Sequence, residues 1–132
     1  MQRDLVLRWI EQLGRLVARL VGAGGTAELA VARDQVAEAT INLLGPLAPL
    51  VPRLETASAV ELLSDPDRIF GYAQLLDLDA AISAGLKEST SEADSRRRAL
   101  EFAMAAIARA PEPRPDWERW VTERKDVPGI RL

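Results

Sequence analysis

Residues 3–22 read RDLVLRWIEQLGRLVARLVG, and this stretch decides the fold class. Leu5, Val6, Trp9, Ile10, Leu13, Leu16, Val17, Leu20 and Val21 recur at helical spacing. At 3.6 residues per turn they cover an arc of about 160°. Asp4, Arg8, Glu11, Arg15 and Arg19 hold the opposite face. Val6, Trp9, Leu13, Leu16 and Leu20 also fit a short coiled-coil seam. Two readings of the stripe stay open. It packs only on helices of its own chain, or one flank, led by those five residues, meets a second copy. An arc this wide exceeds what one neighbouring helix covers. An interface between copies is expected to be twofold and self-complementary.

Gly22, Gly24 and Gly25 stop this helix. Thr26 is the expected N-cap of a second helix over about 27–44, with Leu29, Ala30, Val36, Ala37, Ile41 and Leu44 as its apolar face. Gly45-Pro46 ends it. Pro46, Pro49 and Pro52 should push their predecessors toward extended geometry, so 46–52 reads as a stiff apolar strap. A short helix begins near Thr56 or Ser58 and includes Val60, Leu62 and Leu63. Asp65-Pro66 supplies an N-cap and a first-turn proline for a helix over about 66–84. Its apolar face carries Ile69, Phe70, Ala73, Leu76, Ala80 and Ala84. Ser91-Glu92-Ala93-Asp94 reads as a variant capping box before a helix over about 92–110. Pro115-Asp116 opens a last short helix with Trp117, Trp120 and Val121. The expected fold is an all-α bundle of four long helices and one or two short ones. One domain spans 1–125, followed by an irregular tail over 126–132.

Composition narrows the chemistry. The chain has 132 residues, no cysteine and no histidine. Thiolate and histidine metal sites and histidine-assisted nucleophiles therefore have no residues to work with. No apolar run reaches the ~18 residues of a membrane span, and no signal peptide is visible. The expectation is a cytoplasmic protein that engages no membrane. Net charge is −3 but uneven. Residues 1–22 carry four arginines against Asp4 and Glu11, residues 55–94 carry nine acids against Arg68 and Lys87, and the last 38 residues are again basic. A net acidic chain without an extended basic tract is a poor partner for nucleic acid.

Ala99, Ala103, Ala106 and Pro111 have the spacing of the second helix of a tetratricopeptide repeat. Phe70-Gly71-Tyr72 stands where the first helix of that repeat carries aromatic and glycine residues. One repeat is visible where a solenoid needs three or more. The opening, Arg3-Asp4-Leu5 to Leu7-Arg8-Trp9-Ile10-Glu11-Gln12-Leu13-Gly14-Arg15-Leu16, resembles the start of a bacterial family of small helical proteins that contain such a helix pair. The function of that family is not established. The resemblance implies a bacterial, cytoplasmic, all-helical protein with a tetratricopeptide-like pair near the C-terminus. It carries over no catalytic residue.

Each candidate site has a plain structural alternative. Asp65, Asp67, Asp77 and Asp79 are the densest carboxylates, but residues two apart on a helix do not share a face. Arg96-Arg97-Arg98 fan over about 200°, too wide for one phosphate. Trp117 and Trp120 share a face and either anchor a partner or clamp the last helix onto the domain. Gly22 to Thr26 lacks the lysine and the preceding strand of a phosphate loop. No catalytic, cofactor or metal residue is assigned. The leading expectation is a non-enzymatic interaction or scaffold protein that self-associates, as a dimer, through Val6, Trp9, Leu13, Leu16 and Leu20. One alternative is a carboxylate enzyme or small-ligand binder using those aspartates or Tyr72. Another is an adaptor that meets a protein partner through Pro49 in the strap and through Trp117 and Trp120.

Overall fold

Asp65 and Pro66 start the helix around which the others are arranged. The Asp65 carboxylate accepts the Asp67 backbone N–H at 3.0 Å, and Pro66 takes the first helical position, where no N–H is needed. The computed structural model describes residues 3–23 and 25–125; the expected irregular tail over 126–132 lies outside them. The helices are α1 (Arg3–Ala23), α2 (Thr26–Leu44), α3 (Thr56–Leu63), α4 (Pro66–Gly85), α5 (Ser89–Arg109) and α6 (Pro115–Lys125). Among the described residues there is no strand, and the fold is all-α. Four helices are long and two are short.

The helix α4 is central. Ile69, Phe70, Gly71, Tyr72 and Ala73 are all buried, and five successive positions point in every direction around a helix. Such a helix needs neighbours on all sides. Leu7 of α1 and Leu43 of α2 close over Gly71, where an added Cβ would meet their methyl carbons at 3.1 and 3.2 Å. Gly14 of α1 lies beside Leu78. Leu7 with Gly71 and Gly14 with Leu78 are each 64 positions apart, so α1 runs parallel to α4. Tyr72 meets Phe102 of α5 edge-on at 4.9 Å, and Ser95 of α5 donates to Asp79. Seven positions forward along α4 answer seven positions back along α5, so the two are antiparallel. One continuous core draws on all six helices and on Val51.

Several local expectations need correction. Thr26 is not a cap. It is the first residue of α2, and Gly25 holds the extended N-cap conformation. The Ser91–Asp94 capping box is not used, because α5 begins two residues earlier at Ser89. The α4–α5 connection is therefore residues 86–88. It closes with Lys87 at φ 62°, while the Glu88 N–H reaches back to the Ser83 carbonyl at 2.8 Å, a Schellman closure with lysine in the place usual for glycine.

The strap is not extended. Gly45–Leu47 and Val51–Arg53 form 3-10 turns, and Ala48 is helical in φ and ψ although Pro49 follows it. Four i→i+3 bonds, from the N–H groups of Ala48, Leu50, Arg53 and Leu54, hold the segment, and none of them needs a proline N–H. Buried Val51 ties the strap to the core. Arg68 secures its start by donating to the carbonyls of Leu43 and Leu44, which end α2 without helical partners. Gly45, at φ 57°, turns the chain there.

Gly71→Val is expected to lower stability by about 1–3 kcal/mol through overpacking. Thermal melting checks this; an unchanged midpoint would show that α1 and α2 separate freely from α4.

Candidate interaction surface

The stripe of α1 is divided by its own neighbours. Val6 and Leu13 are 1% and 2% exposed, beside equally buried Ile10 and Val17. These two proposed interface residues are therefore core residues, because the centre of the stripe closes on α2 and α4. The flank with Leu7 and Gly14 serves α4. Trp9, Leu16 and Leu20 sit on the other flank and are only half-buried, and Leu5, one turn from Trp9, is 50% exposed. Three of the five expected residues thus keep surface, and Leu5 joins them.

The helix α2 also leaves apolar residues exposed. Val31 and Ile41 are 58% and 60% exposed. The expected apolar face of α2 holds in part: Leu29, Val36 and Leu44 are buried, but Ala30, Ala37 and Ile41 face solvent, and Ala32, Ala39 and Leu43 are buried in their place. Both sets follow helical spacing, and alanines populate both, so the pattern alone does not choose between them. The exposed pair Val31 and Ile41 is the part of the surface that the sequence reading missed. The unspent signal was an α2 with apolar residues on two faces.

The C-terminal aromatic residues are used internally. Trp117 stacks on Phe70 at 4.5 Å and 9°, and Trp120 meets the same ring edge-on at 5.3 Å. Arg114 lies over Trp117 and Arg124 over Trp120, each 3.8 Å from the ring centroid. Arg114 also pairs with Asp67 at 3.2 Å, and Arg124 with Asp77 at 3.0 Å. All three contacts, Asp67–Arg114, Phe70–Trp117 and Asp77–Arg124, are 47 positions apart, so α6 lies parallel to α4 in fixed register. Trp117 is buried and is not a partner contact, because Phe70 occupies its face. Trp120 keeps part of its surface beneath Arg124. Pro49 is exposed on the strap.

The carboxylates are distributed among separate tasks. Asp65 caps α4, Asp67 and Asp77 hold α6, and Asp79 faces Arg33 of α2 at 3.7 Å. Asp67 and Asp77 are about 15 Å apart along the helix. Among the described residues no acidic cluster is arranged to hold a metal ion. Burial pushes the Tyr72 phenol above its ordinary pKa, opposed by nearby Arg98. Arg96 pairs with Glu92 and Arg97 with Asp94 on their own helix, while Arg98 donates to the Leu54 carbonyl at 3.0 Å. The triplet grips no common point.

Arg33 joins three elements. It donates to buried Ser83 at 3.1 Å and to Glu88 at 2.8 Å. The hydrogen bond from Arg33 holds the Glu88 carboxyl below the ordinary glutamate range, and the same contact raises Arg33. Among the described residues no helix is long and apolar enough to cross a membrane. No family model, curated protein or solved structure matches the chain.

Two outcomes are expected. Trp117→Ala should release α6: hydrogen exchange should lose protection over 115–125 while α4 and α5 stay protected, with a cost of up to about 3–5 kcal/mol. Uniform loss over all helices would show that α6 is integral to the core. Glu88 should contribute stability above its unfolded pKa and lose it as pH falls through its lower folded pKa. The melting gap between wild type and Glu88→Gln should be present at neutral pH and should narrow once pH falls below the ordinary glutamate range. A gap that persists there would mean that the contact is not ionic.

Proposed function

We propose that this chain is a non-enzymatic interaction protein that self-associates through the outer face of α1 and α2. The observation that supports this is the apolar surface left on that face. Trp9, Leu16 and Leu20 are half-buried, and Leu5, Val31 and Ile41 are at least half exposed. Single exposed apolar residues are ordinary, but several on one face point to a partner. Removing a side chain of this size from water is worth roughly 1.5–3 kcal/mol, so covering several can offset the ordering cost of association.

The competing readings draw less support. A carboxylate enzyme needs acids that converge with shifted pKa values, and here each aspartate is engaged at a different contact. The adaptor reading loses Trp117 to Phe70 and keeps only Pro49, neighbouring Leu50 and part of Trp120.

Leu13→Asp is not a clean probe, because a charge at a buried site unfolds the chain whatever its assembly. Leu5→Glu with Val31→Glu places charges at exposed positions and leaves the core intact. Light scattering at several concentrations should give a dimer mass for the wild type and a monomer mass for this variant, with unchanged helical circular dichroism. A wild type that is monomeric throughout would overturn the proposal.

A further inference from the structure

The reading above rests on apolar surface; the charges beside that surface carry a further step. Elsewhere in the fold, oppositely charged groups pair between helices: Arg33 with Glu88, Arg109 with Glu61, Arg114 with Asp67 and Arg124 with Asp77. On the outer face of α1 and α2, four charges are left over by such pairing. Arg15 and Arg19 on α1, and Asp34 and Glu38 on α2, are all exposed. None of the four forms an ion pair among the described residues. Each pair is spaced by four positions, one helical turn or about 6 Å along its axis. The basic row brackets Leu16 in the sequence of α1, and the acidic row lies between Val31 and Ile41 in the sequence of α2.

We infer that the partner is a second copy of this chain, placed by a twofold axis so that Arg15 and Arg19 of each copy meet Asp34 and Glu38 of the other. This rests on the proposed self-association and adds its register. A partner of one charge sign satisfies only one of the two helices and is repelled by the other. A twofold operation that lays α1 on the other copy's α2 also lays α2 on the other copy's α1, so both rows are matched twice. The apolar residues between the rows are covered in the same step. Charge pairs at the border of an apolar patch fix orientation and reject wrong partners more than they add affinity. The dimer should therefore weaken as salt is raised from about 0.05 to 0.5 M.

The test uses two charge-reversed variants of the full chain, Arg15→Glu with Arg19→Glu and Asp34→Arg with Glu38→Arg. All four positions are exposed, and circular dichroism verifies that each variant is helical. By sedimentation, each variant alone should dissociate with a constant raised at least about tenfold. An equimolar mixture should recover the dimer mass, because α1 of either variant then faces the opposite sign on α2 of the other. Variants that each dimerise as the wild type does, or a mixture that stays monomeric, would overturn the register. If Leu5→Glu with Val31→Glu still abolishes the dimer in that case, the apolar self-association stands and only the register falls. A wild type that is monomeric at every concentration overturns both.

Discussion

Three consecutive residues, Phe70, Gly71 and Tyr72, hold the fold together because each meets a different neighbour. Phe70 receives both tryptophans of α6. Gly71 admits Leu7 of α1 and Leu43 of α2. Tyr72 meets Phe102 of α5. Successive residues on a helix are about 100° apart, so three of them span about 200° around the axis and reach neighbours on different sides. The glycine is a shared constraint, since a side chain there would press on leucines of two helices at once. Together with second contacts farther along α4, Leu78 with Gly14, Gly85 with Leu29, Asp79 with Ser95 and Asp77 with Arg124, the contacts of this segment make α1 and α6 parallel to α4 and reverse α2 and α5.

The peripheral contacts are of a different kind. Ion pairs and hydrogen bonds set register where aromatic and aliphatic packing leaves helices free to slide. Arg114 and Arg124 fix both ends of α6 along α4. Arg33 and Arg68 do the same for α2, one bonding to Ser83 and Glu88 near the end of α4 and the other reaching from its start to the carbonyls of Leu43 and Leu44. These partly exposed pairs contribute modestly to stability. Their value lies in choosing one alignment among several that bury similar area.

Much of the fold was legible in the sequence because its signals were local and strong. The stripe of α1, the Asp65 cap with Pro66, and the breaks at Gly45 and Pro111 each act within one or two turns. The buried face of α2 is legible at Leu29, Val36 and Leu44 but not at Ala30, Ala32, Ala37 and Ala39, because alanine is equally acceptable in water and in a core; tertiary contacts choose between them. The strap was misread because the bias of a residue before proline toward extended geometry is a preference, and at Ala48 the 3-10 hydrogen bonds and the burial of Val51 outweigh it. The interface reading was legible in part. Stripe width showed that α1 has more apolar surface than one neighbour covers, but not which flank the neighbours take. The role of Trp117 depended on Phe70, 47 positions away, and no local pattern carries that.

The close approach at Gly71 also imposes an order on synthesis. Both helices of the α1–α2 hairpin leave the ribosome before Gly71 does. At about 5–20 residues per second, the hairpin waits for seconds with Val6, Ile10, Leu13 and Leu43 lacking the surface that covers them in the finished fold. During that interval the part of the apolar stripe that α4 later covers is open together with the flank that remains afterwards. The nascent hairpin therefore exposes more apolar surface before α4 is made than after it.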